Sequence, residues 1–134
     1  MYDRRAAITR TIADYFDGLY FSDAGILARV FHPKAHYVCA SEQPMLYRDM
    51  DEYLAIVSAR PSPASRNEIR RDCIEEIQFA GPATAFARVR CAIGERLFTD
   101  FLTLVLVDGR WRIISKVFHF EVMSDVQQVA VAVQ

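Results

Sequence analysis

An α+β fold, with three helices packed on one face of a curved, mainly antiparallel sheet, is predicted by three features of the sequence. Apolar residues recur at helical spacing at the start of the chain. An acidic capping arrangement, Asp49-Met50-Asp51-Glu52, opens a second well-marked helical stripe. Beyond residue 83 the pattern changes to long alternating runs joined by Gly94-Glu95 and Asp108-Gly109. Helices first, then a meander of strands, is the order of an α+β domain whose pocket lies between the two layers.

The elements follow in chain order. Ile8, Ile12, Tyr15, Phe16 and Leu19 recur at the spacing of one helix face, so residues 4–20 read as an amphipathic helix with Asp3 as its cap. Gly18 costs that helix some stability and points to a close packing contact. Ser22 or Asp23 caps a shorter helix through Ile26, Leu27 and Val30, which Pro33 stops because the residue before a proline avoids the α region. Residues 35–40 read as a short strand, with His36 and Val38 on one side and Tyr37 and Cys39 on the other. The third helix buries Tyr53, Leu54 and Val57, and Arg60-Pro61-Ser62-Pro63 ends it.

Residues 67–79 read as the first long strand, but Ile74 and Ile77 sit three apart and break alternation. A β-bulge near Glu75 and Glu76 reconciles them. Strands 83–93, 97–107 and 110–121 then form two hairpins. Asp-Gly suits a type I′ turn, which needs φ > 0 at both central positions, and Gly-Glu suits type II′. Two-residue loops set Leu104 opposite Ile113, Leu102 opposite Ser115, Asp100 opposite Val117 and Phe98 opposite His119. Paired residues share a face, so Ala85, Ala87, Leu102, Leu104, Trp111 and Val117 line a covered face. Phe86, Phe101, Lys116, Phe118 and Phe120 line the other, among arginines. The tail 126–133 alternates valine with small or polar residues. It extends the last strand, pairs with a partner chain or frays.

At 134 residues the chain reads as a single domain, 1–134, with residues 124–134 as a tail or strand extension. A net charge of −1 argues against a nucleic-acid partner, which calls for clustered Lys and Arg over phosphates. Arg60, Arg66, Arg70 and Arg71 do gather, but Asp72, Glu75 and Glu76 follow at once, as on a solvated face. Neither a signal peptide nor a membrane-spanning run is expected. Three cysteines without CxxC spacing read as reduced thiols, which places the protein in the cytoplasm. Cys39 and Cys91 read as small buried hydrophobes.

Two polar residues, Asp100 and His119, interrupt the covered face as diagonal neighbours in this register. Either they form a general base, with the carboxylate orienting the imidazole, or they hold the strand ends in register. His32 either points into a pocket mouth or caps helix carbonyls. His32 and His36 are four apart, but Pro33 between them denies the helical geometry of a metal pair, so no metal is expected. Tyr15, Tyr37 and Tyr53 can line a cavity and donate to a carbonyl, or serve as core. Leu102 and Trp111 complete the expected lining, and no cofactor is expected.

The run Tyr15-Phe16-Asp17-Gly18-Leu19, then Phe31-His32-Pro33 with Ala35, then residues 49–54, resembles the nuclear-transport-factor-2-like (NTF2-like) superfamily. Phe98-x-Asp100-x-Leu102-x-Leu104, Asp108-Gly109-x-Trp111-x-Ile113 and Lys116-x-Phe118 are similar to its "Putative lumazine-binding" branch, close to the SnoaL-like proteins. The resemblance implies a cone-shaped pocket and a homodimer formed through the sheets. The aromatic face with Phe86, Phe101, Phe118 and Phe120 independently suits such an interface. Members include cyclases, isomerases, dehydratases and proteins with no known catalysis, so fold does not settle chemistry. Three functions stand open: a binder of a small apolar or aromatic molecule, an isomerase, cyclase or dehydratase using Asp100 and His119 next to a carbonyl, or a non-catalytic dimeric interaction module.

Overall fold

The computed structural model describes residues 1–123. Helix α1 (Arg4–Tyr20) begins where Asp3 accepts a hydrogen bond from the Ala6 amide, and it buries Ile8, Ile12, Tyr15, Phe16 and Leu19. Asp23 caps α2 (Ala24–Val30) in the same way. A Cβ on Gly18 would stand 2.7 Å from Leu27 Cγ, so the missing side chain is what lets α2 fold back against α1.

The chain turns directly from Val30 into β1 (Phe31–Cys39), four residues earlier than the alternation marks. A short partner, β2 (Leu46–Asp49), pairs antiparallel with it. Only then comes α3 (Met50–Ala59), opened by a complete capping box between Asp49 and Glu52. Two helices therefore precede the sheet's first strand, and the third follows a β-hairpin. A 3-10 turn (Ala64–Arg66) leads into β3 (Cys73–Ala80), β4 (Thr84–Ile93), β5 (Arg96–Val107) and β6 (Arg110–Val122). Residues 67–72 lie outside any strand: Asn67 is left-handed at φ 54°, and Arg70 pairs with Asp17 and Asp72 at 2.9 and 2.7 Å.

The six strands lie in the order β2-β1-β6-β5-β4-β3, antiparallel except where β1 meets β6. Both hairpin loops hold two residues. Asp108 and Gly109 both have positive φ, as a type I′ turn requires, whereas at the other loop Gly94 alone does. The β3 bulge falls between Ile74 and Glu76, where alternation fails in the sequence.

A second bulge changes the interior. Thr103 faces Ser115, but Leu104 faces Ile113, so Ile114 is an additional residue in β6. Every side chain beyond it changes face relative to the simple hairpin register. Lys116 and Phe118 turn inward and are buried, while Val117 is 43% exposed on the outer face. Phe118 and Phe120 therefore leave the outer aromatic surface, which keeps the Phe86–Phe101 contact at 5.6 Å. The tail 126–133 lies outside the described residues. Among those residues no helix is long and apolar enough to cross a membrane.

Candidate functional site

The core between helices and sheet is apolar except for two buried polar side chains, Asp100 and Lys116. Asp100 is fully buried on β5 between Val89 and Phe118. The Tyr15 hydroxyl of α1 donates to its Oδ2 at 2.6 Å, while its Oδ1 has no partner among the described residues. Burying a carboxylate oxygen without a partner is costly, so its position calls for a physical reason.

Lys116 stands across from Leu102, between β5 and β1. Its ammonium sits in a cage of four rings: Phe118 at 4.9 Å, Tyr37 at 5.1 Å, Tyr15 at 5.2 Å and Tyr53 at 5.6 Å from each centroid. Aromatic faces attract a cation more strongly once water is removed. Burial alone would lower the Lys116 pKa, but Tyr53 and Asp100 outweigh it and raise it, so the amine stays an ammonium. Burial, reinforced by Asp100, holds the Tyr15 hydroxyl well above the ordinary tyrosine range. Burial also raises Tyr53 against the opposing pull of Lys116 and Arg60, and its hydroxyl has no hydrogen-bond partner among the described residues. Burial pushes the Cys91 thiol up, which suits a packing residue and not a nucleophile.

A cavity of about 380 Å³ opens beside this cluster, lined by Tyr37, Arg60, Arg96, Phe98, Phe118 and Phe120. Glu42, Gln43 and Pro44 of the β1–β2 loop form its rim. Tyr37 and Phe118, two of the rings around Lys116, stand in its wall, whereas Asp100 is fully buried and does not line it. A larger cleft of about 450 Å³ lies between α1, α2 and the Asp108-Gly109 turn, with Trp111, Arg10, Arg29 and Arg110 in its wall. Among the described residues no buried unpartnered polar atom belongs to its lining, whereas Arg60 in the smaller cavity has two, so the smaller cavity is the better candidate.

The residues singled out from sequence separate into two groups. Tyr15, Tyr37, Tyr53, Leu102 and Asp100 converge on the Lys116 cage. His32 and Trp111 do not. Leu106, which faces Trp111, is six residues from Asp100 along β5, roughly 20 Å at about 3.3 Å per residue. Trp111 Nε1 donates to the Tyr2 hydroxyl at 2.6 Å, and His32 Nδ1 accepts from the Lys34 amide at 3.0 Å beside a separate cavity.

The Asp100–His119 pair does not form. The Ile114 bulge puts His119 opposite Thr99 on the outer face, where its side chain is 59% exposed. There it bonds the Ser41 hydroxyl, which also accepts from the Phe120 amide. His119→Ala is accordingly expected to shift stability by no more than about 0.5 kcal/mol in urea unfolding, as at other exposed positions. Lys116 and Arg60 were not singled out from sequence. The doublet Ile113-Ile114 breaks alternation as Ile74 and Ile77 do, and it is the signal that brings Lys116 inside.

A cone closed by helices over a curved sheet, with a few polar groups at its base, is the architecture of the NTF2-like superfamily. Residues 3–119 match the family described as "Putative lumazine-binding", and the chain belongs to it. Among solved structures, an NTF2-like protein of unknown function from Silicibacter pomeroyi is 27% identical, with a TM-score of 0.75 over 88% of this chain and 96% of that one. One from Shewanella baltica is 22% identical, with a TM-score of 0.78 over 90% and 95%. A ketosteroid isomerase-like protein from Erwinia carotovora atroseptica shares the fold at 11% identity, with a TM-score of 0.70 over 90% and 98%. An aldolase from Cladobotryum sp is 42% identical over 40 residues, which span 28% of this chain and 32% of that protein. The family suggests small-molecule binding.

Proposed function

We propose that the protein binds a small carbonyl compound in the cone and that Asp100 removes a proton from the carbon next to the carbonyl. The observation that carries this reading is the buried carboxylate, fixed by Tyr15 through one oxygen and unpartnered at the other. A base needs such an arrangement: one lone pair held in place, another aimed at the substrate. When the C–H bond breaks, its electron pair moves onto the carbonyl oxygen. The Lys116 ammonium offsets that charge, and the unpartnered Tyr53 hydroxyl can donate to the same oxygen. The proton then returns at a neighbouring carbon, or the enolate carbon bonds to a second carbonyl, whose π pair moves onto its oxygen and takes the proton back from Asp100. The second course is an aldol reaction, in keeping with the aldolase similarity. Isomerases and SnoaL-like lyases share the first step.

Substrate must displace Tyr37 or Phe118 to reach Asp100. Deuterium incorporation from solvent into a panel of aromatic ketones, followed by NMR, tests the reading. Wild type is expected to exchange the protons next to the carbonyl, and Asp100→Asn to slow this about 10²-fold or more. Equal rates in the two proteins would remove Asp100 from the chemistry. A homodimer through the outer face belongs to the same reading, resting on Phe86, Phe101 and Val117.

A further inference from the structure

The cavity beside the Lys116 cage carries a feature that proton abstraction does not require. Arg60, the residue that ends α3, lines it, and its Nε and one terminal nitrogen are buried with no hydrogen-bond partner among the described residues. No ion pair of Arg60 occurs among those residues either. A guanidinium presents its donors as a rigid fork that fits a carboxylate through two parallel bonds, and an unsatisfied buried fork is costly. Arg96 lies on the same wall over the Phe120 ring, 4.3 Å from its centroid.

Charge points the same way. Lys116, Arg60 and Arg96 supply three positive charges around the cavity and its base, against Asp100 and Glu42, which leaves one positive charge unbalanced. Tyr53, whose hydroxyl also lacks a partner among the described residues, lies on the helix that Arg60 ends, within the aromatic cage. The remaining wall is aromatic: Tyr37, Phe98, Phe118 and Phe120. At about 380 Å³ the space lies at the small end of ligand pockets, which suits a compact ligand.

We infer that the ligand is a compact aromatic carboxylate, its carboxylate held by the Arg60 fork and its ring packed among Tyr37, Phe98 and Phe118. Together with the proposed chemistry, on which the identity of the reacting group rests, this makes the substrate class an aryl oxo acid: a carboxylate at Arg60 and an enolisable carbonyl directed toward Lys116 and Asp100. Specificity then comes from Arg60 and reactivity from Asp100.

The two parts separate experimentally with an unreactive pair of probes, 2-naphthoate and 2-naphthamide, which differ in charge at nearly constant shape. Isothermal titration of the full chain is expected to give at least tenfold tighter binding of the naphthoate. Arg60→Gln is expected to abolish that preference by weakening naphthoate more than naphthamide, and Asp100→Asn to retain it. The wild-type comparison needs no variant, so a poorly folding Arg60 substitution does not decide the matter. Equal affinities for the two probes, failure of naphthoate to bind at millimolar concentration, or a preference that survives Arg60→Gln would each overturn the inference. None of these results bears on whether Asp100 moves a proton, because neither probe has a hydrogen on the carbon next to its carbonyl.

Discussion

Replacing Lys116 with methionine is expected to destabilise the protein by about 3 kcal/mol at pH 7, because the buried Asp100 carboxylate loses the attraction of the one buried cation near it among the described residues, although the two make no direct ion pair. Methionine matches the length of the lysine stem and packs well against rings, so the change isolates the charge more than the volume. What it leaves behind is Asp100, fully buried, with Oδ1 unpartnered and only the Tyr15 hydroxyl on Oδ2. Loss of attraction between the ammonium and its four rings adds to the effect. At roughly 4 °C per kcal/mol for a chain of this size, the melting temperature should fall by about 12 °C. Asp100→Asn alone leaves the opposite charge unbalanced and is also expected to destabilise. The double substitution removes both charges and should recover about 1–3 kcal/mol relative to the sum of the single changes. Strict additivity would mean that the two groups do not sense one another.

Alkaline pH gives the second large effect. Tyr15, Tyr53 and Lys116 all have raised pKa values in the folded protein, the tyrosines through burial and Lys116 because Tyr53 and Asp100 outweigh its burial. In the unfolded chain the tyrosines ionise near pH ~10 and the lysine near ~10.4. A raised value means that the folded state keeps its proton where the unfolded state has lost it. The stability from these groups is therefore whole below pH ~10 and declines above it, by about 1.4 kcal/mol per group per pH unit. Tyr53 and Lys116 act on one another, so their contributions do not simply add, but the combined decline is a large share of the ~5–15 kcal/mol typical of a domain. Cys91, also raised by burial, begins a gentler decline above pH ~8.5. Urea midpoints measured from pH 7 to 11 should show the shallow fall, then the steep one. Tyr15→Phe should lower the midpoint at neutral pH, since Asp100 loses its donor, and make the alkaline fall shallower. A midpoint that stays level up to pH 11 would contradict the placement of these groups.

The fold was legible because its strongest signals are local. Asp3 and Asp49 announce their helices by cap chemistry, Asp108-Gly109 announces its turn by the φ it demands, and the Ile74–Ile77 spacing announces a bulge. Strand β2 was not legible: four residues, Leu46–Asp49, carry too little alternation, and they pair only because β1 lies beside them. The order of helices and strands suffered accordingly, with α3 following a hairpin instead of joining an N-terminal set of three.

The site was half legible. Asp100, Tyr15, Tyr37 and Tyr53 are polar or amphipathic groups on apolar faces, a pattern visible without coordinates. Lys116 and His119 exchanged places because one residue, Ile114, sets which of them faces inward. A lysine is rarely buried, so the ordinary expectation places it in solvent. The Ile113-Ile114 doublet carried the contrary signal, but two adjacent apolar residues are also what a strand buried on both faces shows. Arg60 was hidden differently. Its role depends on where α3 stops relative to a cavity assembled from β1, β4, β5 and β6, which no local pattern encodes.

The most direct test of the account is a crystal structure of the protein with an enolisable aromatic ketone, such as 4-phenyl-2-butanone, in the cone. The account expects Tyr37 or Phe118 to be rotated aside and a carbon next to the carbonyl to stand about 3–3.5 Å from Asp100 Oδ1, the distance at which a proton can pass. The carbonyl oxygen should turn toward Lys116 and Tyr53. A ketone bound in the cleft at Trp111, or held in the outer cavity with Asp100 still fully buried, would contradict it.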